Sequence, residues 1–195
     1  MKKFLLNTAL VTILFLAFSG CSSDSDSSCT PIPCLNGGVS NSDCGCDCPD
    51  GYTGTDCGSQ ITPFRIKVNK VRVKYFPNTN GSSNWDFSDA PDIFVRLGLG
   101  TGSSVSLIYD SNVINNVLSD GVVNYDFIPS SNVYINSPLA THTIILGDYD
   151  SISSHELMGG FTFMPYNSTN DFPNTILLQD LGVPLSFELF VTYEW

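Results

Sequence analysis

Basic residues are scarce in this chain, which has 8 Lys and Arg against 19 Asp and Glu and a formal net charge of −11 at pH 7. Proteins that bind nucleic acid neutralise phosphates with Lys and Arg. This composition therefore excludes nucleic acid as a partner. A strongly acidic chain instead favours cations as partners.

Common catalytic motifs are also missing. The sequence contains no Gly-x-Ser-x-Gly, no His-Glu-x-x-His and no phosphate-binding glycine loop. Its two histidines, His142 and His155, belong to no nucleophile motif, and we interpret His155 as a solvated loop residue. We therefore expect no enzyme and no catalytic residue. The alternative is a small carbohydrate-active enzyme that uses paired loop carboxylates, namely Asp148, Asp150 or Glu156.

Cysteine is absent after Cys57, and six of the seven cysteines lie within residues 29–58. Such a density in a short segment predicts a disulfide-bonded module in an oxidising compartment. Six cysteines allow many pairings, so the sequence alone leaves the connectivity open. The seventh, Cys21, stands apart from the module.

The N-terminal residues predict export. Lys2 and Lys3 precede an apolar stretch at residues 4–18, which is short for a membrane span. Residues 16–21, Leu-Ala-Phe-Ser-Gly-Cys, resemble the lipobox of bacterial lipoproteins. That resemblance implies a signal peptide at residues 1–20, acylation of Cys21 and attachment to a membrane through this lipid. Residues 21–28 form a Ser/Asp-rich tether that resembles the export signal of Bacteroidota lipoproteins, which implies an outer-membrane protein exposed at the cell surface.

Residues 61–195 lack a long helical pattern and are expected to be all-β. Apolar or alternating stretches separated by turn residues predict strands at 64–75, 93–99, 105–109, 122–127, 143–146, 160–163 and 185–193. Residues 112–118 are compatible with a short turn of helix. About eight short strands around one core predict an antiparallel β-sandwich.

The end of the cysteine-rich segment, Cys48-Pro-x-Gly-Tyr-x-Gly-x-x-Cys57, resembles an EGF-like domain. The resemblance implies three disulfide pairs: Cys29–Cys44, Cys34–Cys46 and Cys48–Cys57. Ser27 and Ser28 precede the first cysteine, where calcium-binding members carry acids, so we expect no metal in this module. We interpret it as a stiff spacer, with a ligand-binding surface as the alternative.

Acidic residues concentrate in two loops of the predicted sandwich, at residues 85–95 and 146–159. Calcium takes six to eight oxygen ligands, many of them carboxylates. The two loops resemble the calcium-binding loops of C2 domains, which are eight-stranded sandwiches. The resemblance implies a calcium ion held by five carboxylates, with Ser153 in the second loop: Asp86, Asp92, Asp148, Asp150 and Glu156. We interpret Asp89 as a residue that bonds its own backbone.

These features favour a C2-like sandwich that acts as a calcium-dependent binding or adhesion module on an EGF-like spacer. Its partner would be a glycan, a protein or a lipid surface, with Phe87 and Ile152 nearest the loop tips. The alternative to contact by these two side chains is core packing. The alternative function is a metal-free structural or adhesive module.

Five of the basic residues fall within ten positions and form what we call the cationic stripe: Arg65, Lys67, Lys70, Arg72 and Lys74. They alternate with apolar residues, and the alternation shifts phase at Asn69, which predicts a β-bulge with every cation facing outward. The favoured interpretation is an edge strand protected by its charges. The alternative is a contact for anionic headgroups or acidic glycans.

Overall fold

The structure, a computed structural model, describes residue 30 and residues 32–86, 89–151, 154–180 and 182–195. Cys29 and the predicted signal peptide, lipidated Cys21 and tether lie outside the described residues. Within the described part of the chain, no helix is long and apolar enough to cross a membrane.

Two small hairpins form the disulfide module. Strands β1 (Val39–Ser40) and β2 (Cys46–Asp47) pair with each other, as do β3 (Tyr52–Thr53) and β4 (Ser59–Gln60). Disulfides join Cys34 to Cys46 and Cys48 to Cys57, two of the three pairs that the EGF-like resemblance implies. Cys44 is also disulfide-bonded. Because few residues are buried here, the covalent links supply much of the module's stability.

The first sheet of the sandwich is built around β5 (Arg65–Tyr75), the strand that directly follows the module. It pairs on one side with β10 (Tyr125–Phe127) and β11 (Val133–Ile135), and on the other with β15 (Val183–Glu194). Strand β14 (Thr175–Asp180) extends the sheet beyond β15. All pairs are antiparallel, and the order is β10-β5-β15-β14 with β11 also on β5.

The second sheet has the order β13-β12-β8-β9, again antiparallel. Its strands are β8 (Ile93–Leu99), β9 (Ser106–Asp110), β12 (His142–Asp148) and β13 (Glu156–Phe163). A short hairpin, β6 (Thr79–Asn80) with β7 (Ser83–Asn84), lies between β5 and β8 in the chain.

One core fills the space between the sheets. The inward residues alternate along the strands, as in Ile66, Val68, Val71 and Val73 of β5 or Ile93, Val95 and Leu97 of β8. The predicted antiparallel β-sandwich is therefore confirmed, as is the mostly-β class with a disulfide-rich segment before it.

The structure differs locally from the sequence prediction. Strands β11 and β14 were not predicted, and residues 112–118, which were compatible with a short turn of helix, form no helix. Ile114 instead makes an isolated bridge with Ile93, and the Val117 N–H donates to the Pro91 carbonyl at 3.0 Å. The segment is held by the neighbouring strand, so its local helical preference does not decide its conformation.

The bulge in the cationic stripe is confirmed, because Lys70 and Val68 face the adjacent residues Phe190 and Val191 and leave Asn69 as the extra residue. The apolar residues on both sides of it point into the core and the cations point outward. The edge-strand interpretation is wrong. Strand β5 has neighbours on both sides, so its charges protect no open edge.

Candidate functional site

The strand directions bring the two acidic loops to one end of the sandwich, which we call the acidic end. Strand β5 finishes there at Tyr75 and β8 starts there at Ile93. Strand β12 lies between β8 and β13, and the register sets Asp148 opposite both Ile93 and Glu156. The described residues of the two connections, 76–86 with 89–92 and 149–151 with 154–155, consequently lie at the acidic end.

Three of the five predicted ligands converge. Asp148, Asp150 and Glu156 each offer a carboxylate oxygen that lies within 4.8 Å of the others. Asp148 is completely buried, while Asp150 and Glu156 are half-buried. We call these three residues the acidic cluster, and it has the size that one divalent cation requires. Asp148 is the last residue of β12, Asp150 follows two residues later, and Glu156 is the first residue of β13.

Asp148 is the most constrained member of the acidic cluster. Its Oδ1 accepts the backbone N–H of Asp92 at 2.8 Å. Its Oδ2 is buried and has no hydrogen-bond partner within the described residues, and the same holds for Oδ2 of Asp150. Burial raises the pKa of Asp148 to about 6; the hydrogen bond from Asp92 opposes the shift, and the charges of Asp86, Asp150 and Asp92 add to it.

Asp86 is not one of the three residues of the acidic cluster, but it interacts electrostatically with acids at this end of the sandwich. Partial burial raises its pKa, and the charges of four other acids at this end raise it further: Asp89, Asp92, Asp150 and Glu156. Mutual repulsion among these carboxylates is a cost that a bound cation would remove.

Asp92 connects the loops of the acidic end. Besides donating to Asp148, it accepts the Tyr149 N–H on its carbonyl at 2.7 Å. Its Oδ1 accepts the Asn116 N–H at 2.8 Å. One oxygen of Asp92 is therefore committed to the protein.

Hydrogen bonds also fix the loop before β8. Asn78 and Ser119 exchange two bonds, Nδ2 to the serine carbonyl at 2.9 Å and the serine N–H to Oδ1 at 2.7 Å. The Trp85 indole donates to the Pro77 carbonyl at 2.7 Å. The loops around the acidic cluster are therefore preorganised by contacts that involve none of its carboxylates.

Two contacts of the cluster were not predicted. Asn80, in hairpin β6–β7, donates from Nδ2 to Oε1 of Glu156 at 3.3 Å. His155 accepts the Asp150 N–H on Nδ1 at 3.2 Å, and its ring stacks on Tyr149 with centroids 4.5 Å apart. His155 is exposed, as expected, but these contacts order it. The turn dipeptide Asn80-Gly81 could have predicted the hairpin, whereas no sequence signal pointed to its contact with Glu156.

Several predicted residues lie outside the described part of the chain. These are Phe87 and Ile152, proposed for the loop tips, and Ser153. Asp89 is described and contributes to the field at Asp86.

Most of the cationic stripe is paired with acids on neighbouring strands. Arg65 lies 2.6 Å from Glu194, and Asp126 receives Lys70 at 3.1 Å and Arg72 at 2.7 Å. These pairs lower the pKa of Asp126, chiefly through the hydrogen bond from Arg72. Three of the five cations are thereby neutralised in place, which weakens the case for an anion contact along β5.

The chain matches no protein-family model and no curated protein sequence. Among solved structures it is similar to C2 domains. One C2-domain structure is 13% identical over 67% of this chain and 98% of its own, with a TM-score of 0.44. BON1-C2B is 15% identical over 67% and 91%, with a TM-score of 0.41. The first C2 domain of plant Extended Synaptotagmin 1 is 14% identical over 69% and 97%, with a TM-score of 0.39.

Proposed function

We propose that this protein is a non-catalytic binding module whose acidic end holds calcium and engages a partner through it. The observation that carries the proposal is a pair of buried carboxylate oxygens in the acidic cluster, Oδ2 of Asp148 and Oδ2 of Asp150, which have no hydrogen-bond partner among the residues that the structure describes. Buried charged oxygens normally have partners because burial without one is costly. A cation at the cluster would satisfy both.

The donor set favours calcium. The cluster offers only oxygen atoms, and Nδ1 of the adjacent His155 is occupied by the Asp150 N–H. Oxygen-only sites suit hard cations, and calcium tolerates the irregular geometry that loops provide at ligand distances of about 2.3–2.6 Å. Asp86 and Oδ2 of Asp92, the carboxylate oxygen that does not accept the Asn116 N–H, are the additional ligands that we propose. In an extracellular setting, a Kd of about 10⁻⁴–10⁻³ M is sufficient.

The placement of the protein in the cell is proposed from the sequence alone. The lipobox-like residues before Cys21 support a lipid anchor, and the Ser/Asp-rich residues that follow support display on the outer face of an outer membrane. The disulfide module, with two bridges of the EGF-like pattern, would then be the spacer between tether and sandwich.

Thermal unfolding of the exported chain with Cys21 replaced by Ser, in excess calcium and in chelator, tests the calcium site. A ligand that binds only the folded state raises stability by an amount set by its concentration relative to Kd, roughly 2.7 kcal/mol at one hundred times Kd. We expect a rise in Tm with calcium for the wild type and none for the double variant Asp148→Asn/Asp150→Asn.

Asp50→Asn is the matched control, because this exposed acid lies in the disulfide module and its removal also reduces the net negative charge. It should keep the full calcium response. Equal melting of the wild type in both buffers would leave a metal-free module and disprove the calcium proposal. Equal responses of the wild type and the double variant would place the calcium site elsewhere.

A further inference from the structure

The acidic end and the disulfide module lie at opposite ends of the sandwich. Strand β5 begins at Arg65, next to the module, and finishes at Tyr75, next to the acidic loops. Its eleven residues span about 33 Å at roughly 3.3 Å per residue. Strand β15 returns antiparallel and sets Glu194 opposite Arg65, so the C-terminal Trp195 is also at the module's end.

An aromatic cluster joins the module to the sandwich at this end, which we call the junction end. Phe172 is its centre, with ring centroids at 5.4 Å from Tyr52 of the module and at 5.6, 5.3 and 5.2 Å from three rings of the sandwich: Tyr166, Tyr193 and Trp195. Edge-to-face and stacked rings at these distances attract one another in addition to burying area. The module is therefore packed against the sandwich rather than only linked to it.

Close backbone contacts fix the orientation. A Cβ on Gly51 would lie 2.6 Å from the Trp195 ring and 2.8 Å from Phe172, so the module approaches as closely as glycine permits. The Gln60 side chain donates to Asp171 at 2.8 Å. Asp171 and Phe172 both have φ of +49°, a left-handed conformation that is uncommon for residues other than glycine and strained for a bulky residue such as Phe172, which the ring contacts hold in place.

We propose that this docking makes the module and the sandwich one rigid body, so that the acidic end binds its partner in trans, away from the surface to which the N-terminal segment is attached. The trans arrangement rests on the proposed calcium-dependent function and lipid anchor, whereas the rigid docking does not. The partner that the acidic end fits presents oxygen ligands to the bound calcium ion from a facing surface.

The length of the N-terminal tether supports an acidic end that faces away from the membrane. For the acidic end to reach its own membrane, the roughly dozen residues between Cys21 and Cys34 would have to run back along the whole body. Fully extended, they reach about 45 Å. The sandwich alone accounts for about 33 Å of that distance, and the module adds its own length. Such a stretched tether would lose nearly all of its conformational freedom, which opposes binding in cis.

Residual dipolar couplings of backbone amides test the docking in the exported chain with Cys21 replaced by Ser. One alignment tensor should fit the module and the sandwich together, and a requirement for two tensors would overturn the proposal. Gly51→Ala should separate the tensors or change their relative orientation, because its Cβ displaces Phe172 or Trp195. Gly37→Ala is the matched control, since Gly37 also has positive φ in the module but meets nothing within 4 Å.

The luminescence lifetime of bound terbium tests whether the acidic end faces away from the membrane. The acylated full chain is placed in vesicles with and without a short-range energy acceptor on the lipid headgroups, and terbium at the acidic end is excited through Tyr149. An unchanged terbium lifetime supports binding in trans, and a lifetime shortened by the acceptor overturns it. Terbium chelated directly to headgroups provides the shortened reference. If the chain binds no terbium, the proposed calcium site has failed and with it the trans arrangement, while the dipolar couplings still decide the rigid docking.

Discussion

The junction end and the acidic end of the sandwich differ in the charge of the polar atoms that they bury without a partner. At the junction end, aromatic rings fill the space between module and sandwich. The buried polar atoms that lack a partner within the described residues there are neutral, among them the Tyr193 hydroxyl and Oε1 of Gln60. Burial raises the pKa of Tyr193 to about 12, which keeps it neutral. At the acidic end, the buried polar atoms that have no partner in the described part of the chain are carboxylate oxygens of Asp148 and Asp150.

This difference in charge between the buried polar atoms of the two ends indicates that one end serves stability and the other serves binding. A neutral polar group without a partner costs about 1–3 kcal/mol, whereas buried charges cost far more and are retained where something compensates them. The junction end therefore resembles an ordinary core that holds two modules together. The acidic end carries an electrostatic cost that only protonation or a cation offsets, and this is the property of a ligand site.

The largest expected effect is at the junction end. Phe172→Ala should lower the free energy of unfolding by about 3 kcal/mol, because the ring contacts four other aromatic side chains and its removal leaves a cavity. Urea unfolding measures the change. Phe64→Ala is the control, since Phe64 is 73% exposed and its removal should alter stability by less than about 0.5 kcal/mol. Similar values for both variants would mean that the cluster does not hold the modules together.

A smaller effect on the free energy of unfolding is expected at the acidic end, where it comes from the ionisation of Asp148 rather than from packing. The folded-state pKa of Asp148 is about 6, above its usual value near 3.8, so between these pH values the folded chain binds the proton more tightly than the unfolded chain. Stability from this group is complete below about pH 4 and is lost as the pH rises through 6, an effect of roughly 2–3 kcal/mol. In chelator, the wild type should therefore lose stability relative to Asp148→Asn from pH 4 to pH 7.

Urea unfolding at several pH values, in chelator and in calcium, measures this difference. The asparagine of the Asp148→Asn variant would keep an oxygen that can accept the Asp92 N–H and has no charge, so the comparison isolates ionisation. Saturating calcium should remove the loss at pH 7, because the cation stabilises the ionised form. Parallel pH profiles of the two proteins in chelator would show that Asp148 ionises without cost and would erase the contrast between the two ends.

Local patterns predicted the parts of the fold that depend on local order. Strand β8 was predicted with its observed bounds because turn residues flank a mostly apolar run, and the shift in alternation predicted the bulge at Asn69. The edge assignment of β5 failed because its neighbours, β15 above all, come from distant parts of the chain. Strand β11 has only three residues, too few for a periodic signal.

The site shows the same division. The spacing of acids around one loop predicted that Asp148, Asp150 and Glu156 lie close together: Asp148 ends a strand, Asp150 follows two residues later, and Glu156 begins the next strand. The contacts from Asn80 and Asn116 come from two other loops, and their positions depend on the assembled sandwich. Burial of Asp148, which gives the cluster its electrostatic cost, likewise exists only after the sheets have packed.

The smallest expected effect concerns how the acidic loop is held, and His155 is the residue to change. The ring accepts the Asp150 N–H and stacks on Tyr149, so it orients the backbone that carries one ligand. An exposed hydrogen bond of this kind contributes about 0.5–1 kcal/mol, or roughly a two- to fivefold change in calcium affinity.

His155→Phe keeps an aromatic ring and loses the acceptor, whereas His155→Asn keeps an acceptor and loses the ring. Calorimetric titration with calcium should show weaker binding for His155→Phe and partial recovery for His155→Asn, with equal melting in chelator. If His155→Phe binds calcium as tightly as the wild type, the hydrogen bond does not position Asp150, and the other contacts of the acidic end, those of Asp92 and of Asn78 with Ser119, are sufficient to hold its loops.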